Sequence, residues 1–401
     1  MPYLKRSRMA AIFRENQLPI MTTYHLPATE AAQLDSLLEQ VQTCTNNFLG
    51  YPVSKDFDYS PLLPFLSYPL NNLGDPFVTS TYAVGSREME KYVVEFFAKL
   101  FRAPSDDWWG YVTNGGSEGN LYGLYLAREL YPKGMVYYSE ATHYSVQKNL
   151  HLLDMPSIVI RTRENGEIDY EDLQNTIRMN RHMPVIILAN IGTTMTEARD
   201  DVGRIKGILK ELAIRHHYIH CDGALSGSYS AFIEPRPAFD FADGADSMAI
   251  SGHKFIGSPI PCGVVVAKRS NRDRIARSVA YIGSMDTTIT GSRNGHSPLF
   301  LWYALKSLGL AGLKERARHS LSVAAYAVER FHEIGIQAWR NPHSITVVFP
   351  DPAGNIRRKW QLASENGWSH IICMPNVTTA QIDMLVAEIA ATFTSTAVPV
   401  L

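Results

Sequence analysis

The chain has 401 residues and a formal net charge of −1. That balance gives no push toward nucleic acid or anionic membrane, and no charge run is long enough to act as a binding tail. The length allows one large α/β domain and a smaller one, and no stretch approaches the roughly 18 apolar residues of a membrane span. Cys44, Cys221, Cys262 and Cys373 are scattered and form no CxxC pair. Buried free thiols and a cytoplasmic setting are therefore expected.

Met1 to Ile20 is basic but lacks a signal-peptide apolar core. Two readings stand: a frayed extension with Met21 as an alternative start, or an amphipathic segment docked on a partner subunit. The spacing of Leu34, Leu37, Leu38 and Val41 predicts a helix over Thr29 to Val41. Tyr51 to Asp75 is rich in Pro and aromatics without sustained periodicity. Arg87 to Phe101 is helical, with Met89, Val93, Phe96, Phe97 and Leu100 inward.

From there helices and strands alternate. Helices are expected at Ser117–Leu130, Tyr144–Leu153 and Asp201–Arg215. Strands are expected at Met135–Tyr138, Ser157–Arg161, Val185–Ile191, Tyr218–Asp222, Asp246–Ile250 and Gly263–Ala267. The alternation predicts a mostly parallel sheet covered on both faces, with ligands at the carboxyl ends of its strands. Beyond Leu299, helices at Phe300–Leu308, Ala317–Ile334 and Thr379–Phe393 mix with strands at Ser344–Phe349 and His370–Cys373. The expected division is an extension and helix over 1–50, a large cofactor-binding domain over 51–299 and a small α+β domain over 300–401.

Two residues carry the chemistry. Asp222 ends one apolar run, and Lys254 follows another within Ser251-Gly252-His253-Lys254. A pyridoxal phosphate (PLP) enzyme needs a lysine to condense with the cofactor aldehyde and an aspartate to keep the pyridine nitrogen protonated. A lysine after a strand is usually a solvated charge. Here Phe255, Ile256 and Pro259-Ile260-Pro261 argue for desolvation, which lowers a lysine pKa. Gly115, Gly116 and Ser117 open a helix and suit a phosphate cup, against the plainer reading of a Gly-rich turn with a Ser cap. His143 can stack on a flat ring or serve as a cap. Thr193 and Thr194 can bond the aspartate or a substrate carboxylate, or cap a turn. Ser251 and His253 are placed to reach a phosphate. Ala224 is small either for a ring's second face or for packing. Gly291 to His296 is either a loop contributed across a subunit interface or a structural turn.

Taken together, Tyr111-Val112-Thr113-Asn114-Gly115-Gly116, Thr142-His143-Tyr144-Ser145-Val146, Asn190-Ile191-Gly192-Thr193-Thr194, Ser251-Gly252-His253-Lys254 and Thr290-Gly291-Ser292-Arg293-Asn294-Gly295-His296 give a resemblance. From Gly50 to Phe393 the chain resembles the PLP-dependent group II amino-acid decarboxylases, in the branch holding bacterial histidine and plant serine decarboxylases. The resemblance implies the α/β PLP-dependent transferase fold type I and a homodimer with its active site at the subunit interface. It implies that Lys254 carries the cofactor, Asp222 faces its ring nitrogen and His143 stacks on it. Ser117 and His253 would serve the phosphate, Thr194 the pyridine-side network and Tyr82 the substrate. Tyr281 and Gly283 to Thr290 look like the mobile loop over the site. Tyr281 is the expected donor of the Cα proton, with a histidine as rival.

The implied reaction converts a small L-amino acid to its amine and CO2. Gly257 to Cys262 and Ala338 to Asn341 side with histidine. Asn71 to Asp75, Cys221 to Ala224 and Met374 to Thr378 side with serine. Histidine to histamine is the expectation, serine to ethanolamine the alternative. A PLP aminotransferase is the rival of another class, since Arg293 and Arg340 offer substrate-carboxylate partners. A non-catalytic scaffold is a third reading.

Overall fold

The computed structural model describes residues 26–79, 81–275, 277–279 and 284–395. Met1 to Ile20, Tyr281 and Gly283 lie outside them. The chain forms two compact units, 1–47 and 48–401. In the first, helix α1 (Ala28–Asn46) outruns the expected helix at both ends, and none of its residues is buried.

The second unit is built on a seven-stranded sheet. In chain order, strand β1 (Asn71–Leu73) and helix α2 (Arg87–Leu100) precede β2 (Trp109–Thr113), α3 (Gly116–Leu130), β3 (Met135–Ser139), α4 (Ser145–Leu152) and β4 (Ser157–Ile160). Then come α5 (Tyr170–Met179), β5 (Val185–Asn190), α6 (Val202–Glu211), β6 (His217–Asp222), β7 (Ser247–Ser251) and β8 (Gly263–Ala267). The sheet order is β2-β8-β7-β6-β5-β3-β4. Only β8 runs against the rest; it is antiparallel to both β2 and β7. Parallel neighbours need crossovers, and α4, α5 and α6 supply them. Asp169 and Asp201 start α5 and α6 by accepting backbone N–H bonds from Glu171, Asp172 and Arg204.

Strand periodicity divides the core between the two faces. Tyr137, Ile187 and Ile219 enter one cluster, while Val136, Ile186, Leu188 and Tyr218 enter the other. With both faces covered, β5 is buried along its whole length. On one face α3 packs across β6, β7 and β8. Two glycines let it approach. A Cβ at Gly119 would lie 2.7 Å from that of Ala249, and one at Gly123 would lie 2.1 Å from His220 Nδ1.

After the sheet, β9 (Arg277–Val279) pairs with β10 (Ser284–Asp286), and β11 (Ser292–Asn294) pairs with β1. The two helices expected between Phe300 and Ile334 are present as consecutive segments of α7 (His296–Glu333), parted at Gly309, where φ is 60° and ψ −175°. That backbone region is open essentially to glycine alone. β12 (Thr346–Pro350), α8 (Gly354–Trp360), β13 (Ala363–Glu365), β14 (Trp368–Ile372) and α9 (Thr379–Ser395) complete the unit. Their three strands form a separate antiparallel sheet, β12-β14-β13. Ile382, Leu385, Val386 and Ile389 of α9 are buried.

Candidate active site

Asp222 is the last residue of β6, and β7 ends at Ser251, three residues before Lys254. Adjacent parallel strands thus deliver both to one rim of the sheet. Burial lowers the Lys254 ammonium pKa, against the opposing pull of Asp222 and Glu197. His143, after β3, shares the influence of Asp222. Burial lowers its pKa, Asp222 raises it, and Lys254 and Lys148 lower it further. The three residues singled out for chemistry are therefore electrostatic neighbours.

The Asp222 carboxylate is held at both oxygens. Asn120 Nδ2 donates to Oδ2 at 2.6 Å, and the Ala224 N–H donates to Oδ1 at 3.0 Å. The His143 Nδ1 accepts the Ser145 N–H at 3.3 Å and lies 2.8 Å from Ser145 Oγ. A backbone N–H can only donate, so the neutral ring carries its proton on Nε2. The ring sits beside Tyr144 at a tilt of 42°, with ring centroids 4.3 Å apart.

A cradle forms beside this cluster. A Cβ on Gly116 would meet Ser251 Oγ at 2.8 Å and Ala224 Cβ at 3.0 Å, so α3, β6 and β7 converge on its first turn. Gly115 has φ of 154°, and Ser117 is exposed. Backbone N–H groups at a helix start favour an anion. His253 Nδ1 is committed to the Cys262 backbone, 2.9 Å from its oxygen, which leaves Nε2 for a ligand. An aldehyde with a pyridine ring and a phosphate fits these groups: a half-buried lysine of lowered pKa, an anchored carboxylate and a glycine-lined helix start.

Other expected residues sit differently. Thr193 caps its own turn, accepting the Ala198 N–H at 2.9 Å, whereas Thr194 is exposed. Tyr82 stands on an exposed loop before α2. Arg293 is buried in an ion pair with Glu90, which takes Nη2 at 2.9 and 3.1 Å, so it is committed to the frame. That pair and the β1–β11 pairing tie Gly291 to His296 to the body of the unit.

Two groups escaped the sequence reading. Asn120 was hidden behind the Gly-rich motif. Glu197 looked like a loop residue, yet it is fully buried at φ 53° and binds both sheets. Its Oε1 accepts Ser226 Oγ at 2.7 Å and Tyr229 OH, and its Oε2 accepts the Ile345 and Thr346 N–H at 3.0 and 2.8 Å. A sequence signal existed only for Asn120, four residues after Gly116 on the helix face turned to the sheet.

A mostly parallel sheet with a lysine and an anchored aspartate at one rim defines a fold type I PLP-dependent enzyme. The family model for the pyridoxal-dependent decarboxylase conserved domain matches residues 70–349. The chain belongs to the pyridoxal-dependent decarboxylase family and is an amino-acid decarboxylase that uses PLP. It is 48% identical to a histidine decarboxylase of Mesorhizobium japonicum, over 91% of this chain and 99% of the relative. It is 51% identical to a histidine decarboxylase of Acinetobacter baumannii, over 85% and 90%. Among solved structures, an L-methionine decarboxylase from Streptomyces sp. 590 superposes with a TM-score of 0.83 at 26% identity, covering 92% of this chain and 96% of that one.

Proposed function

We propose that this chain converts L-histidine to histamine and CO2. The observation that carries this reading is the identity of about half to histidine decarboxylases along nearly their whole length. Arg293 weakens the aminotransferase alternative, because its guanidinium is engaged by Glu90.

When bound, PLP supplies an aldehyde for the amine and a ring that takes up the electron pair of the breaking Cα–carboxylate bond. The rest falls to the protein. Lys254, its pKa lowered by burial, offers an amine that readily loses its proton. Asp222 presents a fixed negative charge to the ring nitrogen. His143, its charged form disfavoured by burial, would stack on the ring. Gly115, Gly116, Ser117, Ser251 and His253 hold the phosphate, Ala224 lines the ring and Thr194 borders the pyridine side. Tyr82 contacts the substrate and Tyr281 returns the proton to Cα.

The expected division at 299/300 falls inside the first segment of α7 (His296–Glu333), with the cofactor sheet before it in the chain and the small sheet after it. The working unit is a cytoplasmic homodimer whose site lies between subunits and binds no nucleic acid. The test scores CO2 release from each of the twenty amino acids by the PLP-loaded enzyme. Histidine should exceed every other by at least about tenfold. Preference for serine or methionine would overturn the substrate, and keto-acid release without CO2 would overturn the reaction.

A further inference from the structure

A line of polar groups runs behind Asp222 that its own two contacts do not explain. Tyr218, His220 and Asp222 alternate along β6, so they share one face, the face that meets α3. Ser247 stands directly across from His220 on β7. All are buried. Tyr218 OH donates to Ser247 Oγ at 2.9 Å, Ser247 Oγ lies 2.7 Å from His220 Nδ1, and His220 Nε2 lies 2.9 Å from Asn120 Oδ1. Asn120 Nδ2 then reaches Asp222 at 2.6 Å.

The proton order along this line is constrained. An ionised carboxylate only accepts, so the Asn120 amide must turn its NH2 to Asp222 and its oxygen to His220. His220 Nε2 must then donate. Burial pushes the His220 pKa down to about 4, so the ring is neutral and Nδ1 is bare. Ser247 must donate to it, leaving its lone pair for Tyr218. Every hydrogen bond points toward Asp222. The reverse order requires a protonated Asp222.

Space for this arrangement is built in. A Cβ at Gly123, one helical turn beyond Asn120, would overlap the His220 ring at 2.1 to 2.7 Å from three of its atoms. The absent side chain lets the imidazole slot under α3 and reach Asn120.

We infer that Asn120 and His220 are positioning residues that lock the Asp222 carboxylate, through a one-way hydrogen-bond chain starting at Tyr218, in the orientation that serves the cofactor ring nitrogen. Neither touches the reacting atoms. Their effect runs through Asp222, so the inference rests on Asp222 facing the ring nitrogen.

The test compares PLP-loaded wild type with Asn120→Leu, His220→Leu, His220→Gln, Ser247→Ala and Asp222→Ala. Three readings are taken: kcat, KM, and the pH midpoint of the cofactor's visible absorption without substrate. Asn120→Leu should lower kcat at least about tenfold, keep KM within about twofold and move the spectral midpoint by about one pH unit. His220→Leu should follow in the same direction. His220→Gln, which keeps one donor and one acceptor, should recover most of both. Ser247→Ala, a small change that preserves packing, should shift both readings less. A purely structural role lowers the melting temperature and leaves the spectral midpoint and the kcat-to-KM pattern in place. That result in any folded member of the Asn120, His220 and Ser247 set overturns the inference. If Asp222→Ala itself keeps the wild-type spectrum and kcat, the assignment of Asp222 fails. If it collapses while the others behave as wild type, only the positioning chain fails.

Discussion

Replacing Glu197 with glutamine removes one charge and tests how the two sheets are joined. Its Oε2 accepts Ser344 Oγ and Thr346 Oγ1 at 2.8 and 2.6 Å besides the two backbone N–H groups of β12 and its approach. Backbone donors cannot reverse, so the new amide oxygen must face them. The new NH2 then faces Ser226 and Tyr229, whose hydroxyls can turn to accept. What cannot adapt is Arg199, whose side chain is only 10% exposed and whose guanidinium has Glu197 as its counter-charge at 3.4 Å.

Leaving a buried charge without its partner costs about 3–5 kcal/mol. Over the unit 48–401, unfolding entropy is roughly 0.7 kcal/mol/K, so the melting temperature should fall by about 4–7 °C. Thermal unfolding followed by circular dichroism on the PLP-free protein at neutral pH measures this. A midpoint within about 1 °C of wild type would refute the view that a charged Glu197 fastens the small sheet to the large one. Glu197→Ala should lose more, because the Ile345 N–H is then orphaned as well, while the Thr346 N–H keeps only Ser344 Oγ at 3.0 Å.

Further outcomes are expected. Borohydride reduction of the PLP-loaded enzyme, followed by peptide mapping, should place the label on Lys254. Lys254→Ala should bind PLP without covalent trapping and lose at least about three decades in CO2 release. The buried His220 has a pKa lowered to about 4 from an ordinary 6.5, so its contribution to stability is present above pH 6.5 and is lost as pH falls through 4. The loss is about 3 kcal/mol. His220→Gln should therefore show a shallower decline than wild type in denaturant unfolding between those pH values; parallel curves would contradict a neutral His220. Arg293→Lys should destabilise the β1–β11 pair by about 1–3 kcal/mol, since one ammonium cannot serve both Glu90, held by Nη2, and the Gly74 carbonyl, held by Nη1 at 2.6 Å. With Arg293 outside the chemistry, the histidine KM should stay within about twofold.

The alternating part of the fold was legible because a parallel sheet buried on both faces leaves continuous apolar runs such as Val185 to Asn190. Lys254 and Asp222 were legible because charges at the ends of such runs stand out. β2 was not, since Trp109 to Thr113 merges into the Gly-rich motif that follows it. α5 was missed because its apolar stripe is short, with Tyr170, Leu173 and Ile177 alone buried. His220 was read as part of an apolar strand; its polarity acquires meaning only when Asn120, a hundred residues earlier, stands beside it. Arg293 looked available for a ligand because its partner Glu90 lies 203 residues away. Pairings of that reach follow from tertiary packing, and local pattern holds no trace of them.

The reversed direction of β8 has a mechanical outcome. The chain leaves the rim through β7 and returns to it at once, and the excursion is stitched at its neck: the Gly252 N–H bonds Cys262 O at 2.8 Å, and the Ser258 N–H bonds Gly252 O at 3.1 Å. The lysine stands on a closed, short-leashed bight. Its backbone has little freedom to swing, so shuttling of the amino group during turnover must be accomplished by rotation about the four carbons of the side chain itself.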